Sequence, residues 1–224
     1  MAPRTDRKLA AILAADVVGY SRLVGNDEAG TITRLKALRK DFIEPTVAEH
    51  HGRIVKLMGD GALVEFPSVV QAVLAAAEIQ RSMMAQNADL PADRRFDFRV
   101  GINLGDVIVD GDDIYGDGVN VAARLEGLAP PGGICVSRTV YNHVRNKVNL
   151  RFEPMGEHRV KNITEPVTVY RVMAESGPLA NVFGVKHSAK SRWRLPAFVT
   201  AAAAVLVILA GGLNGYLSGW SPRG

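Results

Sequence analysis

The sequence predicts an α+β fold, a ferredoxin-like βαββαβ sandwich with C-terminal additions, followed by one transmembrane helix. Three observations lead there. Hydrophobic patterns of strand and helix type follow the order strand, helix, strand, strand, helix, strand. A chain of 224 residues, 47% hydrophobic, suffices for one sizeable core but hardly for two full domains. Finally, no charged residue occurs from Leu195 to Trp220.

The first element, RKLAAILAADVV, is a continuous apolar run closed by Asp16, as expected of a buried strand. Basic residues precede it as in a signal peptide, but Asp16 interrupts the run early and no small-residue cleavage site follows. GYSRLVGNDEAGTITRLKALRKDFIEPTVAEHHG then reads as helical, with Leu35, Leu38 and Phe42 at helical spacing and Asp27 as an N-cap. RIVKLM and ALVEF are short strands joined through Gly-Asp-Gly, a hairpin pattern. SVVQAVLAAAEIQRSMMAQ is an amphipathic helix and NADLPADRR a polar loop. FDFRVGIN and DVIVDG form a second hairpin across Leu-Gly-Asp. GDGVNVAARLEGLA is a helix stopped by Pro130 and Pro131. GGICVS is a strand, TVYNHVRN a short helix, and LRFEPMGEHRV with VTVYRVMA closes the sheet.

In this arrangement the helices cover one sheet face and leave the other free. Alternation along RIVKLM places Val55 and Leu57 on one side and Ile54, Lys56 and Met58 on the other. A sheet face with such apolar residues calls for a covering partner.

The net charge of +4 is unevenly placed. Lys186, Lys190, Arg192, Arg194 and Arg223 all follow Glu175, after which no acidic residue occurs. The basic balance therefore describes the tail and gives no support for nucleic-acid binding by the folded part, which needs clustered positive charge. The single cysteine, Cys135, excludes an intrachain disulfide and reads as a buried small hydrophobe.

Residues 1–177 read as the folded domain, 178–194 as a basic linker, 195–217 as a transmembrane helix and 218–224 as a short tail. Roughly 20 helical residues cross a bilayer core. Trp193 and Trp220 flank the run with Tyr216 near its far end, as interfacial anchors do. The cations before the span outnumber Arg223 after it, which places the folded domain on the cytoplasmic side of a plasma or inner membrane. The alternative is an Ala-rich buried helix.

Two aspartates end core strands: Asp16 in AADVVGYS and Asp60 in KLMGDGALVEF. Carboxylates suit hard cations such as Mg²⁺, and two metals can serve phosphoryl chemistry. VVGYS opens a helix whose free backbone amides suit a polyphosphate. Taken singly each signal has a plain alternative: Asp60 as a turn residue, Asp16 as a cap. In DDIYGDGVNVAARLE, Asn120 and Arg124 at i, i+4 share one helical face, and an arginine fork suits phosphate as readily as solvent. The five histidines are scattered and make no metal motif.

These segments resemble the class III nucleotidyl cyclase catalytic domain. AADVVGYS resembles its first metal-binding segment, KLMGDGALVEF its second, DDIYGDGVNVAARLE its ribose and phosphate helix, and RVKNITEPVTVYRV its closing segment. The resemblance runs from about Arg7 to Val172 in the expected order.

The resemblance implies that Asp16 and Asp60, with the Val17 carbonyl, hold two Mg²⁺ or Mn²⁺ ions. Gly19, Tyr20 and Ser21 would offer amides to the β- and γ-phosphates, and Lys161 would hold the terminal phosphates. Lys56 and Asp113 match the pair that recognises adenine, with Asp112 as the neighbouring alternative. Asn120 would orient the ribose and Arg124 would stabilise charge on the α-phosphate. The implied reaction is attack of the 3′-hydroxyl on the α-phosphorus of ATP, giving 3′,5′-cyclic AMP and pyrophosphate. The resemblance implies that Asp16 and Asp60 come from one subunit and Lys56, Asp113, Asn120, Arg124 and Lys161 from the other, so a homodimer is implied. Guanylate cyclase, and a catalytically silent dimerising or nucleotide-sensing module, are the alternatives. A diguanylate cyclase is disfavoured because GG(D/E)EF is absent.

Overall fold

A computed structural model describes residues 6–159 and 166–173. All of them lie in the first of two units, Met1–Ala180. The expected transmembrane helix and Lys161 fall outside the described residues. Among the described residues, no helix is long and apolar enough to cross a membrane.

The chain opens with strand β1 (Asp6–Val17), then helices α1 (Tyr20–Asn26) and α2 (Glu28–Leu38), a π-helical turn (Arg39–Ile43) and α3 (Glu44–Glu49). Strands β2 (Arg53–Met58) and β3 (Gly61–Phe66), helix α4 (Val69–Asn87) and strand β4 (Phe98–Asp110) complete the βαββαβ core. The additions are β5 (Asp113–Tyr115), α5 (Asp117–Leu128), β6 (Ile134–Ser137), α6 (Arg138–Val144), β7 (Arg151–His158) and β8 (Val167–Met173). The sheet runs β2-β3-β1-β4-β6-β8-β7, with β5 on β4, and only the β4–β6 pair among these is parallel.

Local chemistry sets several boundaries. Asp27 caps α2, its Oδ1 accepting from the Gly30 amide at 2.9 Å, and Ser68 caps α4 by accepting from Val70. β1 lies beside β4, the middle strand of the sheet, and both of its faces are covered. Ala11, Leu13 and Val17 join the larger core under α2, α3, α4 and α6, while Ala10, Ile12 and Ala14 join a smaller core on the opposite face. That is why its sequence is a continuous apolar run.

Three expectations are corrected. FDFRVGIN and DVIVDG are one strand, since β4 pairs with β1 without interruption from Asp6↔Val109 to Val17↔Phe98. Gly105 makes no turn: a Cβ there would lie 3.1 Å from the Gly118 Cα, so it is a seat for α5. The hairpin comes one element later, at Gly111-Asp112, where Gly111 takes φ 58°.

The second face is also not left free. Helix α5 crosses β4 and β1 there, and Gly101, Asn103 and Gly105 of β4 let its backbone approach closely. The buried Asn103 amide donates to the Gly118 carbonyl at 3.1 Å, which satisfies both groups.

The alternation read on β2 is broken by a bulge. Ile54 pairs with Val64 and Lys56 with Leu63, so Val55 is an extra residue. Ile54 faces the larger core, whereas Lys56 lies on the same face as Leu63 and Val55, the face that carries α5.

Candidate active site

Asp16 is the penultimate residue of β1, and Asp60 follows Gly59 in the two-residue turn between β2 and β3. Gly59 adopts φ 62°, which a glycine takes without strain. Gly61 faces the end of β1, where an added Cβ would sit 3.0 Å from the Ala15 carbonyl and 3.8 Å from Asp16 Oδ1. The hairpin turn and the carboxylate site are thus one feature.

Two arginines that the motif reading passed over organise this corner. Arg99, the cross-strand partner of Asp16, donates through Nη2 to Asp16 Oδ2 at 2.9 Å, and its Nε lies 3.1 Å from Glu126 Oε1 on α5. The second approach is an ion pair without hydrogen-bond alignment. Arg39, in the π-helical turn, donates to the Gly59 carbonyl at 2.7 Å and reaches the Gly61 carbonyl at 3.5 Å, so it grips both sides of Asp60. The sequence read this stretch as continuous helix, so nothing in it marked the contact.

Burial raises the Asp60 carboxyl above its ordinary range, the neighbouring Asp16 carboxylate raises it further, and Arg39 acts the other way. Glu126 is also raised, first by burial, with Arg99 opposing. Asp60, half-buried beside Asp16 and with its ionised form disfavoured, belongs to a donor set that a hard dication would relieve. The residues present therefore fit Mg²⁺ or Mn²⁺, with phosphate and water oxygens completing the coordination. Val17 is buried at the end of β1 beside Asp16. Gly19, with φ 66°, precedes α1, and Tyr20 and Ser21 form its first turn, where backbone amides lack helical partners.

A second group lies on β2 and β5. Lys56 Nζ contacts Asp113 Oδ2 at 2.5 Å, and the Tyr115 hydroxyl donates to the same oxygen at 2.8 Å. Hydrogen bonds from Lys56 and then Tyr115 hold the Asp113 carboxyl below the usual range, and Asp113 raises Lys56 in turn. Asp112 gives only its carbonyl, to Arg53 at 2.8 Å, so the lysine's carboxylate partner is Asp113. Tyr115 was not singled out by sequence, because its contact depends on how β5 seats against β4.

Asn120 and Arg124 are exposed on α5, while Gly118, Ala122 and Leu125 of the same helix are buried against the sheet. At 100° per residue Asn120 lies about opposite that buried stripe and Arg124 well to one side of it, both on the outer part of the helix. Among the described residues, hydrogen bonds and ion pairs hold Asp16 with Arg99 and Lys56 with Asp113, but none joins the two groups or links either to Asn120 or Arg124.

A nucleotide-handling enzyme fold of mixed sheet, with two carboxylates at one strand end and a lysine–aspartate pair elsewhere, is the class that these features define. The chain belongs to the adenylate and guanylate cyclase catalytic domain family, whose model matches residues 4–174. It is 52% identical over 164 residues to a candidate adenylate cyclase of Rhizobium meliloti (strain 1021), adenylate cyclase 3, covering 73% of this chain and 28% of that protein. It is 32% identical over 131 residues to an adenylate cyclase of Streptomyces coelicolor, covering 58% of this chain and 32% of the relative. The chain thus spans about a third or less of these relatives' length. Among solved structures, an adenylate/guanylate cyclase/hydrolase from Silicibacter pomeroyi superposes with TM-score 0.72 at 43% identity, over 75% of this chain and 98% of that one. The adenylyl cyclase CyaB from P. aeruginosa gives 0.67 at 26% identity, over 76% and 96%.

Proposed function

We propose that this chain is an adenylate cyclase that converts ATP to 3′,5′-cyclic AMP and pyrophosphate at sites shared between two copies of the chain. The observation that carries the reading is the contact of Lys56 with Asp113. A cationic donor beside an acceptor carboxylate matches N1 and the 6-amino group of adenine, whereas guanine presents the opposite pattern, N1–H and a 6-oxo group.

Asp16, Asp60 and the Val17 carbonyl would hold two Mg²⁺ or Mn²⁺ ions, which when bound supply phosphate neutralisation and a more acidic 3′-hydroxyl. The chain's own groups act by position and charge. Gly19, Tyr20 and Ser21 present amides to the β- and γ-phosphates, and Lys161 adds a cation there. Asn120 orients the ribose, and the Arg124 guanidinium faces the charge that grows on the α-phosphate. The 3′-oxygen bonds to the α-phosphorus, its proton passes to solvent, and the α–β bridge breaks with the electron pair leaving on pyrophosphate.

The outward direction of Asn120 and Arg124 supports a two-chain site, each copy lending one half. Anchoring through residues 195–217, with the cyclase domain on the cytoplasmic side, rests on sequence pattern. The test is the full chain with Mn²⁺ and either ATP or GTP, products separated by chromatography. Cyclic AMP from ATP, lost in Asp60→Asn, is expected. A verified dimer that yields no cyclic nucleotide would favour the silent sensing module, and preferential cyclic GMP the guanylate cyclase.

A further inference from the structure

The Asp113 carboxylate has about four acceptor positions. Oδ2 is engaged by Lys56 Nζ and by the Tyr115 hydroxyl, and Oδ1 accepts from the Ile114 amide at 2.9 Å. One position on Oδ1 stays open. The scaffold behind it is firm: Ile114 is 2% exposed and packs in the smaller core, β5 pairs with β4 at all three of its residues, and Arg53 holds the Asp112 carbonyl. Asp113 and Tyr115, two apart on a strand, therefore share the outward face. Lys56 Nζ also lies 5.7 Å from the Tyr115 ring centroid, so the ring flanks the cation.

We propose that Tyr115 is a specificity-determining positioning residue for the base, its hydroxyl occupying one site of Asp113 so that the remaining site accepts the 6-amino group of adenine. The proposal rests on the adenylate cyclase reading above. The same hydrogen bond has a second effect. A free tyrosine hydroxyl beside the base would be a donor for the 6-oxo group of guanine; committed to Asp113, it is withheld. The carboxylate raises the hydroxyl above its ordinary range, which keeps it protonated as a donor at neutral pH. Guanine would then meet an acceptor at its 6-oxo group and a cation at its N1–H, both mismatched.

The experiment compares the 224-residue wild-type chain with Tyr115→Phe, which keeps the ring beside Lys56 and removes only the hydroxyl. Steady-state kcat and KM are measured with ATP, GTP and purine riboside triphosphate, which has N1 but no 6-amino group. The expected result is a rise in KM for ATP of about tenfold, the worth of one hydrogen bond, with kcat nearly unchanged. The preference for ATP over GTP falls by a similar factor, and with the 6-unsubstituted nucleotide the two proteins converge. Tyr115 is 46% exposed, so the variant should melt with the wild type, and a matching melting temperature checks this. A wild type that makes cyclic AMP beside a variant of unchanged ATP:GTP preference overturns the role of Tyr115 alone. A wild type that cyclises neither nucleotide, or prefers GTP, overturns the adenine reading and this proposal with it.

Discussion

Arg99 and Asp16 face each other across the β1–β4 ladder, and the guanidinium that donates to Asp16 Oδ2 at 2.9 Å also pairs with Glu126 at 3.1 Å. One cation thus serves two carboxylates on two elements, beside a third at Asp60. Both partners of the Asp16 bond are about one third exposed, at 32% and 30%. Arg99→Gln should therefore cost roughly 1–3 kcal/mol, between the exposed and buried limits. Urea unfolding of the full chain measures it, and an unchanged midpoint would show that the pair contributes nothing.

Two glycines of similar appearance should respond oppositely. At Gly101 an added Cβ would sit 2.1 Å from the Glu126 amide and 2.2 Å from the Ala122 carbonyl, both backbone atoms of α5. Neither can yield without moving the helix that carries Asn120 and Arg124. Gly101→Ala should destabilise by about 3 kcal/mol or more and depress cyclase activity. At Gly127, inside α5, nothing lies within 4 Å, and Gly127→Ala should stabilise by about 0.5–1 kcal/mol. Thermal melts of the two variants decide the contrast.

Glu65 carries a pH dependence of definite sign. Burial alone would raise its carboxyl, but Lys8 and Arg53, at 2.5 and 2.9 Å, lower it below 4.5. A depressed folded-state pKa means that the stabilisation is present above the unfolded value, near 4.5, and is lost as pH falls through the folded value. Glu65→Gln should cost about 1 kcal/mol at pH 7 and almost nothing near pH 3. Denaturant midpoints across pH 3–7 should converge at the acid end; parallel curves would show that the ion pairs are silent.

Subunit mixing tests the shared site. Asp60→Asn and Arg124→Ala chains should each be inactive, and after exchange about half of the dimers pair one of each. In that heterodimer one site keeps every group, so partial cyclic AMP synthesis should return. Verified exchange without recovery would count against sites built between chains.

Much of the fold was legible locally. Asp27 announced its helix because a cap is a contact between near neighbours. The apolar run of β1 announced a strand covered on both sides. The Leu-Gly-Asp reading failed because a glycine inside a strand looks like a turn unless the helix packed on it is known. The face of Lys56 failed because one extra residue, Val55, reverses the alternation beyond it, and a bulge has no local mark.

The sequence by itself determined the order of the βαββαβ core, the family, and the chemical types at Asp16, Asp60, Lys56 and Asp113, since each depends on residue identity and short spacing. Tertiary structure alone decided that Arg99, 83 residues from Asp16, is its partner, that Arg39 grips the Asp60 turn, and that Tyr115 completes the Lys56–Asp113 pair. Those contacts depend on strand register and on how closely α5 and the π-helical turn approach the sheet. Register and packing are set by the whole core at once, so no short stretch of chain carries them.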